Sequence, residues 1–263
     1  MKIYFDESED FNRNALLVSA IFVYGDSKIN ELRDGINEIK KLNNFQQPDG
    51  QNKEIKYNKI ASDLDLKVSK ECIDLFFQSK NTYFRSCIVF WNKNDLRRFG
   101  RRDQNEKLKK AILYTNLTKK LIKLGVGGFK NCILLYDELV RCKGDHFQQI
   151  IENNFGYSSL RASTDFPVIK SVASLKSNDD FNSIVQLTDL LMGCVLNQNF
   201  PSSINKNKIR EYLISKLSVR DLKKETWDRI YEPAEPQNRK FYIHYLNIDA
   251  ITVNHKTRKN RSR

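Results

Sequence analysis

The chain has 263 residues, 40% of them apolar, and a formal net charge of +13. That length suits one large domain, or one domain with an extension. No apolar run reaches the roughly 18 to 20 residues of a membrane span, and MKIYFDESED lacks the pattern of a signal or transit peptide, so a soluble, cytoplasmic protein with no membrane partner is expected. Five scattered cysteines (Cys72, Cys87, Cys132, Cys142, Cys194) with no C-x-x-C argue against a disulfide framework and agree with a reducing compartment. Cys142 and His146 form a single near pair, short of the four ligands of structural zinc. The surplus of 45 Lys and Arg over 32 acids favours an anionic partner, most simply nucleic acid, although a lysine-rich proteome gives the same bias.

In chain order, residues 2–6 read as a short strand, and the branched run 14–24 (NALLVSAIFVY) as its hairpin partner. The spacing of Ile29, Leu32, Ile36 and Ile39 predicts a helix over 27–42, followed by a polar loop, NNFQQPDGQNK. A helix over 63–79 and a strand over 82–91 come next. Residues 104–124 form an amphipathic helix, with Leu108, Ile112, Leu117, Leu121 and Leu124 on or near one face and lysines on the solvated remainder. Gly125, Gly127 and Gly128 end it, and NCILLY (131–136) is a buried strand. A helix over 146–153, a strand over 166–174 and a helix over 181–198 follow. Beyond Pro201 the chain becomes charged, with helix across 205–230 and a basic end, HKTRKNRSR, that orders only against something anionic. Alternating strands and helices predict an α/β fold with a mixed sheet flanked by helices, residues 1–200 forming the domain and 201–263 a helical extension with a flexible tail. Ligand sites in such sheets lie at strand C-terminal ends.

Within the 181–198 helix, IVQLTDLLMGCVL contains one charged residue, Asp189. An unpaired buried carboxylate is costly, so Asp189 needs water or a partner. Two strands end in acids, Asp6-Glu7 and Asp137-Glu138. If those strands are neighbours, Asp6 and Asp137 share one edge of the sheet, and Asp189 can join them from a helix packed there. Three carboxylates repel one another unless cations hold them, and hard divalent cations, Mg²⁺ (or Mn²⁺) by default, suit oxygen ligands. Adjacent strand residues face opposite ways, which favours Asp6 over Glu7; Glu7 reaches the site only if the chain turns there. Taken singly, each acid is also an ordinary cap or turn residue.

Tyr4-Phe5-Asp6-Glu7-Ser8 resembles the Y-x-D-E-S opening of the family called domain of unknown function 3800, grouped with the ribonuclease-H-like superfamily. Glu54-Ile55-Lys56 resembles its E-[IL]-K segment, and Asp137 its strand-ending Asp. Ser183 to Leu191 resembles its late S-x-x-x-x-x-L-Q-x-A-D-L-[IL] segment, with Val185-Gln186-Leu187-Thr188-Asp189 in place of Leu-Gln-x-Ala-Asp. Glu9 stands where the family usually has Gly. The motifs spread over residues 4 to 191 and leave the region beyond 200 uncovered.

The resemblance implies a ribonuclease-H-like fold in which Asp6, Asp137 and Asp189 hold two metals, with Glu54 a candidate fourth acid. It implies a metal-dependent nuclease that hydrolyses phosphodiester bonds of DNA or RNA by a two-metal mechanism, in a prokaryotic or mobile-element setting such as phage defence. Lys56 and Lys176 are then candidates for the substrate backbone, and Arg258 and Lys259 of the tail for sequence-independent affinity. The C-terminal extension could also take a protein partner. A rival nuclease reading, R-x4-H from Arg141 to His146, is interrupted by Gly144. The alternative from another class is a nucleic-acid- or partner-binding module with little or no catalysis.

Overall fold

The structure is a computed structural model that describes residues 1–10, 14–47, 52–126, 131–138, 143–156, 168–176, 179–196, 203–223 and 240–251. It is an α/β fold. Its six strands are β1 (Lys2–Asp10), β2 (Ala15–Val23), β3 (Thr82–Phe90), β4 (Cys132–Asp137), β5 (Ile169–Leu175) and β6 (Phe241–Leu246), in one mixed sheet of order β5-β4-β1-β2-β3-β6. β1, β2 and β3 run antiparallel in sequence, while β4 is parallel to β1, β5 to β4 and β6 to β3. Every residue of β2 is buried, as expected of a central strand covered on both faces.

The helices are α1 (Asp26–Leu42), α2 (Asp63–Gln78), the single turn α3 (Lys93–Leu96), α4 (Glu106–Val126), α5 (Phe147–Phe155), α6 (Asn182–Leu196) and α7 (Ile204–Leu217). One core forms where α1, α2, α6 and α7 cover the sheet face that carries Tyr4, Leu17 and Ile21. The other forms where α4 and α5 cover the face that carries Ile3, Phe5 and Val18. α2 starts on a capping box, in which the Ser62 hydroxyl accepts the Asp65 N–H and the Asp65 carboxylate accepts the Ser62 N–H. Among the described residues no helix is long and apolar enough to cross a membrane. The described cysteines Cys72, Cys87, Cys132 and Cys194 are buried and form no disulfide.

Several expectations change. β1 runs on to Asp10 rather than ending at Asp6. α4 runs through Gly125, whose missing side chain leaves room for the Phe22 ring; an added Cβ would lie 2.2 Å from it. The buried stripe of α4 is Leu113, Leu117, Leu121 and Ile122, so Leu108, Ile112 and Leu124 lie beside it rather than in it. Two described elements beyond residue 200 pack on the rest of the fold. Ile209 and Leu213 of α7 enter the first core, and β6, which helical reading of the extension missed, completes the sheet at the β3 edge. Gly127, Gly128, Arg141, most of 218–230 and the tail with Arg258 and Lys259 lie outside the described residues or beyond the end of α7.

Candidate functional site: an acidic cluster at the C-terminal ends of β1 and β4

Phe5 pairs with Tyr136 across the parallel β1–β4 ladder, so the next residues, Asp6 and Asp137, end up side by side. Both share the face of Tyr4 and Leu135, which α6 covers. α6 is docked there by Thr188, whose buried hydroxyl lies 3.1 Å from the Tyr4 carbonyl oxygen and 3.0 Å from that of Ile184, donating its one proton between them. One residue on, Asp189 is the sole position between Asn182 and Met192 that is not fully buried.

The fourth acid comes from the segment before α2. The Tyr57 N–H donates to Asp189 Oδ2 at 2.8 Å, and the Ile55 N–H to Gln186 Oε1 at 3.1 Å. These two bonds lay residues 55–57 along α6 and bring Glu54 and Lys56 to the cluster. Lys56 Nζ is 3.3 Å from Glu54 and 3.8 Å from Asp137. Lys59 also pairs with Glu54 at 3.2 Å. Asn182 Nδ2 donates to Asp137 Oδ1 at 3.2 Å and to the Lys176 carbonyl at 2.9 Å. Gly193 makes the close approach possible, because a Cβ there would sit 2.2 Å from the Tyr57 ring.

The electrostatics follow the geometry. Burial first, then the Asp189 charge, push the Asp6 carboxyl well above its ordinary pKa; Glu7 and Asp137 add to this and the Glu7 N–H on Asp6 Oδ1 opposes it. Asp189 is raised too, by burial and by Asp137 and Glu54, against the Tyr57 N–H and Lys56. Burial works against the Lys56 ammonium, but Glu54, Asp137 and Asp189 outweigh it and hold it above its ordinary value. Glu54 is also subject to burial, yet its lysine partners bring it below the usual carboxylate range. Lys56 is thus the cation that the cluster has gathered from its own chain.

Beneath the cluster lies a buried polar contact. Lys40 is 2% exposed and its ammonium donates to Gln186 Oε1 at 2.8 Å. Burial lowers it to about 8, with Cys72 and Glu54 opposing. One carboxamide oxygen therefore holds both α1 and the 55–57 segment against α6.

Four of the five predicted acids, Asp6, Glu54, Asp137 and Asp189, come together. Glu7 does not. β1 continues without a turn, so Glu7 faces the α4 side with Phe5. Lys56 lies inside the cluster rather than on its rim. Lys176 is exposed, and what it gives the site is its carbonyl, through Asn182. Arg258 and Lys259 are outside the described residues. The contributions of Asn182, Gln186 and Lys40 were not anticipated. Lys40 had one signal: it falls four residues after Ile36 on the stripe Ile29, Leu32, Ile36.

The donors are carboxylate oxygens, the type that hard divalent cations take. Among the described residues no three His, Cys, Asp or Glu side chains are arranged to hold a metal ion as they stand. The donor set fits such a cation in kind, with Lys56 occupying the charge between Glu54 and Asp137. No family model matches the chain, and no curated protein does either.

Proposed function

We propose that the chain is a divalent-cation-dependent nuclease with Asp6, Asp137 and Asp189 as the residues that hold Mg²⁺ or Mn²⁺ and Glu54 beside them. The observation that carries this reading is the pairing of β1 with β4, which sets two acids side by side beneath the one acid of an apolar helix. The β1–β2–β3 antiparallel run, extended by parallel β4 and β5 on the β1 side, supports a ribonuclease-H-like reading of the fold. Mg²⁺ bound there would supply charge neutralisation at a phosphodiester and polarisation of an attacking water. The chain's own part is to keep the carboxylates together against their repulsion. Tyr57 N–H and Asn182 fix the orientation of Asp189 and Asp137. Lys56 neutralises the cluster before a cation arrives and can then turn to a substrate phosphate.

The test is calorimetric titration of Mn²⁺ into the wild type and Asp189→Asn, with labelled DNA and RNA offered to both. Loss of Mn²⁺ binding and of cleavage together in Asp189→Asn is the expected result. Full cleavage by Asp189→Asn overturns the assignment. One observation favours a second reading, a nucleic-acid-binding module without catalysis: Lys56 already compensates Glu54 and Asp137. In that case neither protein binds Mn²⁺ and both bind nucleic acid equally.

A further inference from the structure

The sheet face opposite the acids carries a site of the opposite sign. Residues 93–126, which contain α3 and α4, hold eleven basic residues and three acids, a surplus of eight out of thirteen for the chain. A cavity of about 320 Å³ opens among the Phe99–Gly100 loop, one side of α4, and Ile150 of α5. Its lining is apolar at Phe99, Ile112 and Ile150 and polar at Asn116, Lys119 and Arg98. Arg98 is committed to Asp249 and Asp95. Lys119 is half-buried, and among the described residues no acid pairs with it; burial and the neighbouring Lys123 disfavour its charge. The loop that supplies Phe99 also carries exposed Arg97, Arg101 and Arg102.

An uncompensated ammonium beside an apolar floor, in a cavity at the lower end of ligand-pocket size, suits a ligand with an anionic end and a flat apolar body. The surrounding surplus of exposed arginine and lysine suits more phosphates beyond it. We propose that this cavity binds a phosphate-bearing nucleotide unit, free or within a nucleic-acid strand lying along the basic 93–123 face. It goes beyond the acid-site reading and shares no residue with it.

The experiment is fluorescence anisotropy with a labelled short DNA and RNA strand, in the Asp189→Asn protein so that no strand is cut, with adenosine monophosphate and inorganic phosphate as competitors. Lys119→Gln should weaken strand binding about fivefold or more and reduce its salt dependence by about one released counterion, while Lys41→Gln, an exposed lysine on α1, changes little. Adenosine monophosphate should compete better than inorganic phosphate. If strands do not bind but the mononucleotide does, in a Lys119-dependent way, the ligand is the free nucleotide. Equal weakening by Lys119→Gln and Lys41→Gln overturns the proposal, as does equal competition by phosphate alone. Lys119 is half-exposed, so unchanged thermal melting confirms that the variant folds. Mn²⁺ binding at Asp189 is measured separately, so either reading can fail without the other.

Discussion

The two faces of β1 treat neighbouring acids in opposite ways. On the α6 side, Asp6 sits half-buried among other carboxylates and its charge is disfavoured. On the α4 side, Glu9 is met by Lys110 at 2.7 Å, and Lys110 also reaches Glu106 at 3.1 Å and covers the Trp91 ring. One strand therefore separates a place where negative charge is concentrated from a place where it is compensated. Concentrating like charge costs stability, and proteins retain it where a ligand will supply the missing charge. The contrast teaches that the acids under α6 are held in place by the fold rather than by one another, and what holds them is the neutral and cationic layer of Gln186, Asn182, Lys40 and the 55–57 backbone.

Breaking that layer gives the largest expected effect. Gln186→Leu leaves the buried Lys40 ammonium and the Ile55 N–H without their acceptor, and should destabilise the chain by about 3 kcal/mol in urea unfolding. Adding Lys40→Met should recover part of that loss, a coupling that a double-mutant cycle reads directly. Lys40→Met alone has a pH signature. The folded pKa of Lys40 lies at about 8, below its ordinary 10.5, so the unfolded chain binds more protons between those values and wild-type stability gains a rising component there. The variant should lose that component; an unchanged alkaline slope would show that Lys40 does not titrate as its burial requires.

Gly193→Ala is the next in size. In an exposed helix interior this change stabilises by about 1 kcal/mol. Here the new Cβ meets the Tyr57 ring at 2.2 Å, so overpacking reverses the sign and should cost about 1–2 kcal/mol in the same measurement. The displacement should also speed hydrogen exchange of the Tyr57 amide, since that N–H loses its geometry to Asp189. A stabilised variant with a protected Tyr57 amide would mean that the 55–57 segment is not held by α6.

The acids were legible because each stands out against an apolar run: Asp137 after CILLY, Asp189 within IVQLTDLLMGCVL, Asp6 after KIYF. Strand and helix periods located most elements within a few residues. What periodicity could not supply was register. Whether Asp6 meets Asp137 depends on β1 pairing in parallel with a strand about 130 positions later, and Glu7 was separated from Asp6 only by how far β1 runs. β6 was hidden for a related reason: FYIHYL reads as a strand by composition, but it follows a long charged stretch that suggested helix, and its partner β3 lies far back in the chain. Lys40 broke the apolar stripe of α1 with a residue type that is normally exposed, and its acceptor Gln186 is on another helix.

The smallest effects compare the two faces within three residues of one strand. Asp6→Asn removes a charge that the fold disfavours, so it should stabilise the metal-free protein at neutral pH, on the order of 1 kcal/mol. The sign follows from its raised folded pKa: between the ordinary carboxylate range and that raised value the folded chain binds more protons than the unfolded one, so wild-type stability falls as pH rises through the window, and the variant should lack that fall. Glu9→Gln removes a charge that Lys110 uses but keeps an oxygen to accept from it, and Glu106 remains, so it should destabilise by about 1 kcal/mol. Thermal melting of both variants with and without Mn²⁺ tests the pair of signs. Mn²⁺ should stabilise the wild type and Glu9→Gln alike, since ligand binding to the folded state adds to either, and should do little for Asp6→Asn. If both variants move in the same direction without metal, the two faces of β1 do not differ in charge compensation, and the acids under α6 need no ligand to explain them.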